Sequence, residues 1–472
     1  MSEGDLFVAV PGLTVDGNAY IERAIAAGAR AIVVQEDRRA AWQSLVRDDV
    51  AFVAVPDARA AIARAAAAVA GYPARTLGTI GVTGTDGKTT TTHLIAHVLN
   101  ATGHRAGYLS SVEFASGDAV ELNASHMTTV EADEVQRQLA QMRAARCQYA
   151  VVEASSIGLE LHRVDECEFD VGVFTNLAPD HLDYHGTMEA YRAAKARLFT
   201  MVAASIEKGI PKAAVLNADD AASESMQAAG TTPVVSYGLR RDADFTAHDI
   251  TRMGVGTRFE IRGRAGGRTV ARSSLLGDYN VSNCLAAIAV AASQGIVLGD
   301  AAHALESFAG VPGRMELIDA GQRFRVVVDI CSTEQAMRNV LQQIRPLTKG
   351  RLIVVFGAAG ERDRERRSGL ARAVAELADA AIITNEDPRS EDPDSILDEI
   401  ATALSTSGFR GEFRRQADRR AAIVLALSLA SADDTVLLAG KGTEQSIVIG
   451  TTHHPWDERR VARELLGARS SV

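Results

Sequence analysis

Cysteine is scarce in this chain, four residues in 472, at Cys147, Cys167, Cys284 and Cys331. They show neither the paired spacing of a zinc site nor the density of a disulfide framework, so they read as reduced, buried thiols. Also missing is any run of about eighteen apolar residues, which excludes a membrane-spanning helix. The first residues, Met-Ser-Glu-Gly-Asp, are acidic where a secretory signal would be basic, and a cytoplasmic location is expected. There is no basic excess: 50 Lys and Arg stand against 60 Asp and Glu, a net charge of -10. That balance excludes nucleic acid or an anionic membrane as the main partner, although a local basic pocket is compatible with it.

What is present is a globular composition, 47% hydrophobic and 23% charged, in a chain too long for one core, so two to four domains are expected. Between Gly81 and Thr92 the chain reads Gly-Val-Thr-Gly-Thr-Asp-Gly-Lys-Thr-Thr-Thr-Thr. Apolar residues lead in at Leu77, Ile80 and Val82, and a helical pattern leaves at Leu94, Ile95, Val98 and Leu99. Strand, glycine loop and helix in this order turn backbone N–H groups toward one point. There Lys88 can neutralise phosphate oxygens and the Thr89 hydroxyl can ligate magnesium. The strict P-loop spacing is not met, since its first glycine would fall at Val82, and the alternative reading of the loop is a plain turn before a helix.

The order of elements is α/β throughout. Short strands at 6–10, 31–34 and 51–55 alternate with helical patterns and close at Gly71-Tyr-Pro73, giving a first domain at 1–72. A central domain at 73–310 carries the loop. It also carries Gln148-Tyr-Ala-Val-Val-Glu153, a buried-type strand ending in a carboxylate, where open α/β sheets place ligands and where Glu153 could hold magnesium. Asp180-His-Leu-Asp-Tyr-His185 packs histidines and aspartates into six residues without zinc spacing, so oxygen-rich magnesium coordination helped by a histidine is the better reading. Asn217-Ala-Asp-Asp and Ser236-Tyr-Gly read as strand-end turns, and Asn280 as a helix cap. From Gly310-Val-Pro-Gly a third domain, 311–472, alternates strand and helix as a Rossmann-like parallel sheet. Its Gly357-Ala-Ala-Gly lacks the dinucleotide fingerprint.

Three stretches together resemble the Mur ligases, which join amino acids to a peptidoglycan precursor. They are Gly-Thr-Xaa-Gly-Lys-Thr-Thr, Thr175-Asn-Leu-Ala-Pro-Asp-His through Lys195-Ala-Arg-Leu-Phe, and Leu275-Leu-Gly-Asp-Tyr-Asn. The likeness covers Gly4 to about Leu466 and points to the branch adding the third residue to a UDP-N-acetylmuramoyl-dipeptide. It implies an ATP- and magnesium-dependent, ADP-forming ligase acting through an acyl phosphate on small-molecule substrates, and a monomer is expected. Gly84, Thr85, Asp86, Gly87, Lys88, Thr89 and Thr90 would hold ATP with Asn176, Asn283, Arg314 and Asp329. Thr89, Glu153, His181 and a carbamylated Lys195 would hold magnesium. Lys88, Lys195, His181 and Arg314 would be catalytic. Thr128, Thr129, Ser155 and Arg163 would meet the muramoyl peptide, and Arg367, Asp387, Arg389, Gly440 and Glu444 the amino acid.

The sequence also leaves the family pattern. A stretch ending in Asp-Ser-Arg, which in this branch precedes the first strand and helps hold the uridine, has no counterpart before Gly4, so a truncated first domain is expected. Histidines of the family are replaced by Ile157, Ser332 and Thr443. These departures keep two alternatives open, a ligase for another carboxylate acceptor and a non-catalytic nucleotide-binding relative. The diaminopimelate-adding members read Asp-Asn-Pro-Arg where this chain has Glu386-Asp-Pro-Arg389. Two carboxylates about 4 Å apart cost roughly 4 kcal/mol at an effective dielectric near 20. An Asp387 facing the distal carboxylate of diaminopimelate would therefore disfavour it, whereas facing an amine, as of lysine or ornithine, it would favour a diamino acid.

Overall fold

The computed structural model describes residues 1–12, 15–125, 127–253 and 256–470, the side chains of 469 and 470 excepted. The chain forms two compact units, Met1–Phe308 and Ala309–Val472.

The first unit begins with a parallel three-stranded sheet, β1 (Leu6–Val8), β2 (Ala31–Gln35) and β3 (Ala51–Val55). Ile21, Ile32, Val34 and Trp42 build its core. Helix α1 (Ala58–Val69), capped by Asp57, ends this segment. Arg143, from the larger sheet's part of the unit, donates to the carbonyls of Ala70 and Gly71 and so fastens the end of the segment.

An eleven-stranded sheet makes up the rest of the unit. Its centre is β4 (Gly78–Thr83), buried at every residue, as expected of a parallel strand covered on both faces. Helix α2 (Lys88–Ala101) leaves the loop after β4. Next in the chain come β5 (Ala106–Leu109), β6 (Glu113–Ser116), β7 (Ala119–Leu122), helix α3 (Ala132–Ala144), β8 (Tyr149–Glu153) and β9 (Val171–Phe174). Strand β4 lies between β8 and β9, parallel to both, so its loop opens at the carboxyl edge of the sheet where a ligand crevice forms. Helix α4 (Met188–Ala204) packs so closely on β4 that a Cβ on Gly81 would stand 2.6 Å from Leu198.

The far wing comprises β10 (Ala213–Asn217), β11 (Val234–Gly238), β12 (Phe245–Arg252), β13 (Thr257–Gly263) and β14 (Arg268–Ser273), the last three antiparallel. The residues Ser236-Tyr-Gly, expected as a turn, therefore lie inside strand β11. Apolar and polar residue types alternate along β13, Phe259 and Ile261 between Arg258, Glu260 and Arg262, which marks it as a strand. Helix α5 (Asp278–Ser293) starts after Gly277, so Asn280 is not the cap but sits within the first turn, donating to Leu276 O at 2.9 Å.

Lys208 ties this unit together. Its ammonium meets Asp170 at 2.8 Å and the carbonyls of Leu77 at 2.8 Å and Glu168 at 2.6 Å, with both charged side chains almost fully buried. Lys208→Met would strand the Asp170 charge and should cost about 3–5 kcal/mol, read as a lower urea midpoint.

In the second unit the sheet order is β15 (Glu316–Leu317), β16 (Arg325–Asp329), β20 (Thr435–Ala439), β17 (Leu352–Phe356), β18 (Ala380–Ile383), β19 (Glu412–Arg415), all parallel except β15. Helices α6 (Glu365–Leu377), α7 (Arg419–Leu429) and α8 (Glu458–Ser470) cover it, with separate cores on its two faces. This is the parallel, Rossmann-like arrangement expected.

Candidate functional site

The phosphate loop is shaped by two glycines in the left-handed half of backbone space, Gly84 (φ +150°) and Gly87 (φ +81°). A side chain at Gly84 would collide with Thr175 Oγ1, and one at Gly87 with Asn283 Oδ1 at 2.6 Å. Only glycine lets the backbone turn this tightly against its neighbours. Thr85 Oγ1 is fastened to Ala178 N at 3.0 Å and to the Tyr191 hydroxyl at 3.1 Å. Asn176 binds both the N–H and the carbonyl of Asp86 at 3.0 Å. Lys88 opens α2, its ammonium on Thr85 O at 2.7 Å, with Thr90 in the same turn. Asn283 accepts from Thr91 Oγ1 at 3.2 Å and donates to Asn280.

Glu153 is buried rather than a solvated strand-end acid. It accepts from Thr89 Oγ1 at 3.0 Å and from Ser111 N–H at 2.8 Å, and Ser111 Oγ lies 2.9 Å from Thr89 Oγ1. These are oxygen donors of the hard type that magnesium prefers. Among the described residues no three His, Cys, Asp or Glu side chains converge as a cage. His181 stands on the neighbouring loop, half exposed and at positive φ, 3.4 Å from Asp180.

Lys195 is 1% exposed and is not a helix-surface residue. Its ammonium donates to Gly84 O at 2.6 Å and lies 4.3 Å over the Tyr191 ring. Burial, with Lys88 nearby, holds its pKa well below the ordinary lysine value.

The expected muramoyl-peptide residues form one hydrogen-bonded group behind Glu153. Thr129 Oγ1 donates to Glu153 O at 2.8 Å and accepts from Ser155 N–H, and Ser155 caps the helix Ser156–Glu160. Arg163 donates to Thr129 O at 3.0 Å and pairs with Glu131 at 2.6 Å. Thr128 is half-buried beside them.

In the second unit, the loops after β18 and β20 meet at the carboxyl edge of the sheet. Lys441, fully buried, holds Asp387 at 2.7 Å and also Glu444. Asp387 takes Val448 N–H as well, at 2.9 Å. The charge of Asp387 is therefore answered by Lys441 within the protein itself. Arg389, at φ +54°, lies within 4.0 Å of Glu361, and Gly440, at φ +106°, brings its backbone against Glu386. Arg367 is 2% exposed and donates to Glu391 and Glu399. Asp329 spends its oxygens on the N–H groups of Met315 and Cys331, both at 2.8 Å, next to Arg314, whose charge opposes the effect of burial on its carboxyl.

Glu386 is buried, its Oε2 without a hydrogen-bond partner among the described residues. Burial pushes its carboxyl from 4.5 up to about 7. A raised carboxylate binds a proton on folding, so its contribution is full below pH 4.5 and is lost as pH rises through about 7. Glu386→Gln should flatten the fall of stability across that window, read from urea midpoints at pH 4.5 and 7.5.

Sequence reasoning passed over Ser111, Tyr191 and Lys441. Tyr191 lies one helical turn from Lys195, a spacing that could have flagged it; Lys441 directly follows Gly440, already a pocket residue; nothing local marks Ser111.

A glycine loop at the carboxyl edge of a parallel sheet, with a buried acid and lysine around it, defines a nucleotide-using α/β enzyme. The match to known proteins is specific. Residues 1–70 match the Mur ligase family catalytic domain, 82–291 the Mur ligase middle domain and 313–442 the Mur ligase glutamate ligase domain. A UDP-N-acetylmuramyl-tripeptide synthetase of Roseiflexus sp. (strain RS-1) is 43% identical, over 99% of this chain and 92% of its own length. A UDP-N-acetylmuramoyl-L-alanyl-D-glutamate--2,6-diaminopimelate ligase of Geobacillus thermodenitrificans (strain NG80-2) is 39% identical, over 99% and 93%. A solved structure of a ligase of that same name superposes with a TM-score of 0.68 at 30% identity, covering 100% of this chain and 93% of its own. The chain belongs to the Mur ligase family, whose members are ATP-dependent ligases. Neither alternative acceptor nor non-catalytic role is favoured by these relatives. Among the described residues no helix is long and apolar enough to cross a membrane.

Proposed function

We propose that this chain adds a diamino acid to UDP-N-acetylmuramoyl-L-alanyl-D-glutamate, using ATP to make an acyl phosphate that the amino acid's amine then attacks. The observation that carries the reading is the Lys195 amine, buried against the phosphate-loop carbonyl of Gly84 at 2.6 Å. A simple nucleotide-binding protein has no need of so costly a group. A neutral buried amine can take up carbon dioxide and become an anion, which suits a site gathering cations. Magnesium would be held by Thr89 and Glu153, with His181 and the modified Lys195 as the further positions, and when bound would neutralise charge on the transferred phosphoryl group. Lys88 and the N–H groups of residues 84–90 orient the phosphates. Arg163, with Thr128, Thr129 and Ser155, is suited to the acceptor peptide.

For the amino acid we assign Asp387, Arg389, Gly440 and Glu444, and exposed Arg362 in place of Arg367. The loop of Arg362 is stitched to that of Arg389, Gly360 N–H donating to Asp387 O at 2.8 Å. With Asp387 paired to Lys441, repulsion of a second carboxylate loses its force, and diaminopimelate becomes the first substrate to try. The test is phosphate release and product mass with ATP, magnesium and the muramoyl-dipeptide nucleotide, comparing diaminopimelate, lysine and ornithine. A tripeptide product with one of them is expected; no product with any would sink the assignment.

A further inference from the structure

Outside the residues already assigned, the second unit buries the ion pair Arg419–Glu458, both 0% exposed at the side chain. Arg419 Nε reaches Glu458 Oε2 at 2.9 Å and Nη2 reaches Oε1 at 2.7 Å. Two of the remaining donors go to main-chain carbonyls, Nη2 to Ala439 O at 2.8 Å and Nη1 to Asn385 O at 3.1 Å.

Those two carbonyls are not arbitrary. Ala439 ends β20 and Asn385 follows β18, the strands on either side of β17. The loops that leave from them carry Glu386 to Arg389 and Gly440 to Glu444. The second loop is tied at its other end too: Trp456 N–H donates to Gln445 O at 2.9 Å, and the Trp456 indole donates to Glu458 Oε2 at 2.6 Å. A buried ion pair can often be replaced by apolar residues at no loss of stability. A planar guanidinium that fixes two strand ends in one fork is much harder to replace.

We infer that Arg419, held by Glu458, is a positioning residue that sets the separation of the two amino-acid-binding loops. This rests on the reading of those loops as the amino-acid pocket. Arg419 touches no substrate and acts through the backbone carbonyls that it spaces. A shift of about 1 Å in such a pocket can cost as much as a hundredfold.

The test compares wild type with Arg419→Lys, which keeps the charge opposite Glu458 but loses the fork. A second variant, Arg419→Met with Glu458→Met, removes both charges together and leaves neither stranded, so the question stays answerable if the lysine variant does not fold. Separate KM values are measured for amino acid, ATP and the muramoyl nucleotide, with thermal melting as the control for folding. We expect the KM for the amino acid to rise at least about tenfold in the lysine variant and further in the double variant, with the other two KM values changing less than about twofold. An unchanged amino-acid KM, or all three KM values rising together, would overturn the inference. Failure of the wild type itself to form an amide with any amino acid would instead overturn the pocket reading, and the positioning role with it.

Discussion

Lys195→Met should leave a folded protein whose amide-forming rate is down at least about a thousandfold. Methionine is close in shape to the lysine stem, and the site is almost fully buried, so packing survives. An apolar group there also avoids the desolvation that an ammonium suffers, and the melting temperature should hold or rise despite the lost bond to Gly84 O. What disappears is chemistry. The amine lies beside the phosphate loop, near Lys88, with its ammonium form disfavoured by burial. Neutral, it is nucleophilic and can carry a carbamate whose negative charge would complement cations at the transferred phosphoryl group. The check is product mass and phosphate release, with the intact mass of the wild type recorded in bicarbonate to find the added 44 Da expected of one carbon dioxide, about the mass of a carbamate. Activity within tenfold of wild type would refute a catalytic Lys195.

The second large effect falls on Lys88. Lys88→Ala should lower kcat/KM for ATP by about 10³-fold or more, because the charge that meets the phosphates during transfer is then gone. Arginine should not restore it, since its planar fork cannot take the place of a compact ammonium at the head of α2. Stability should hardly change, as Lys88 is only half-buried and makes one bond to Thr85 O. A variant retaining a tenth of the wild-type rate would show that the loop amides alone suffice.

Much of this was legible in the sequence because the signals are local. The phosphate loop declares itself through glycines whose positive φ values no other residue takes up readily, and through a strand and a helix whose apolar periods flank it. The parallel strands of the second unit are equally plain, as short β-branched runs between helical patterns. The antiparallel wing of the large sheet was missed, since a half-exposed strand such as Arg268–Ser273, with exposed arginines at both 268 and 272, has little apolar content to mark it. Glu153 and Lys195 were singled out from strand end and motif, and both lie buried beside the phosphate loop. The partners of Arg367 and Asp387 were not legible, because a charged side chain in a sequence carries no sign of what neutralises it.

The sequence by itself determined where backbone must turn against phosphate, which segments are strands or helices, and which residue types are available for the chemistry. These follow from local sterics and from periodicities of two and 3.6 residues. Only the tertiary structure decided which charges remain free for a ligand. Lys441 reaches Asp387 across fifty-four positions, Arg367 reaches Glu399 across thirty-two, and Arg419 reaches Glu458 across thirty-nine. The electrostatic character of a buried group is set by what the fold places within a few ångströms of it, and separation along the chain says nothing about that.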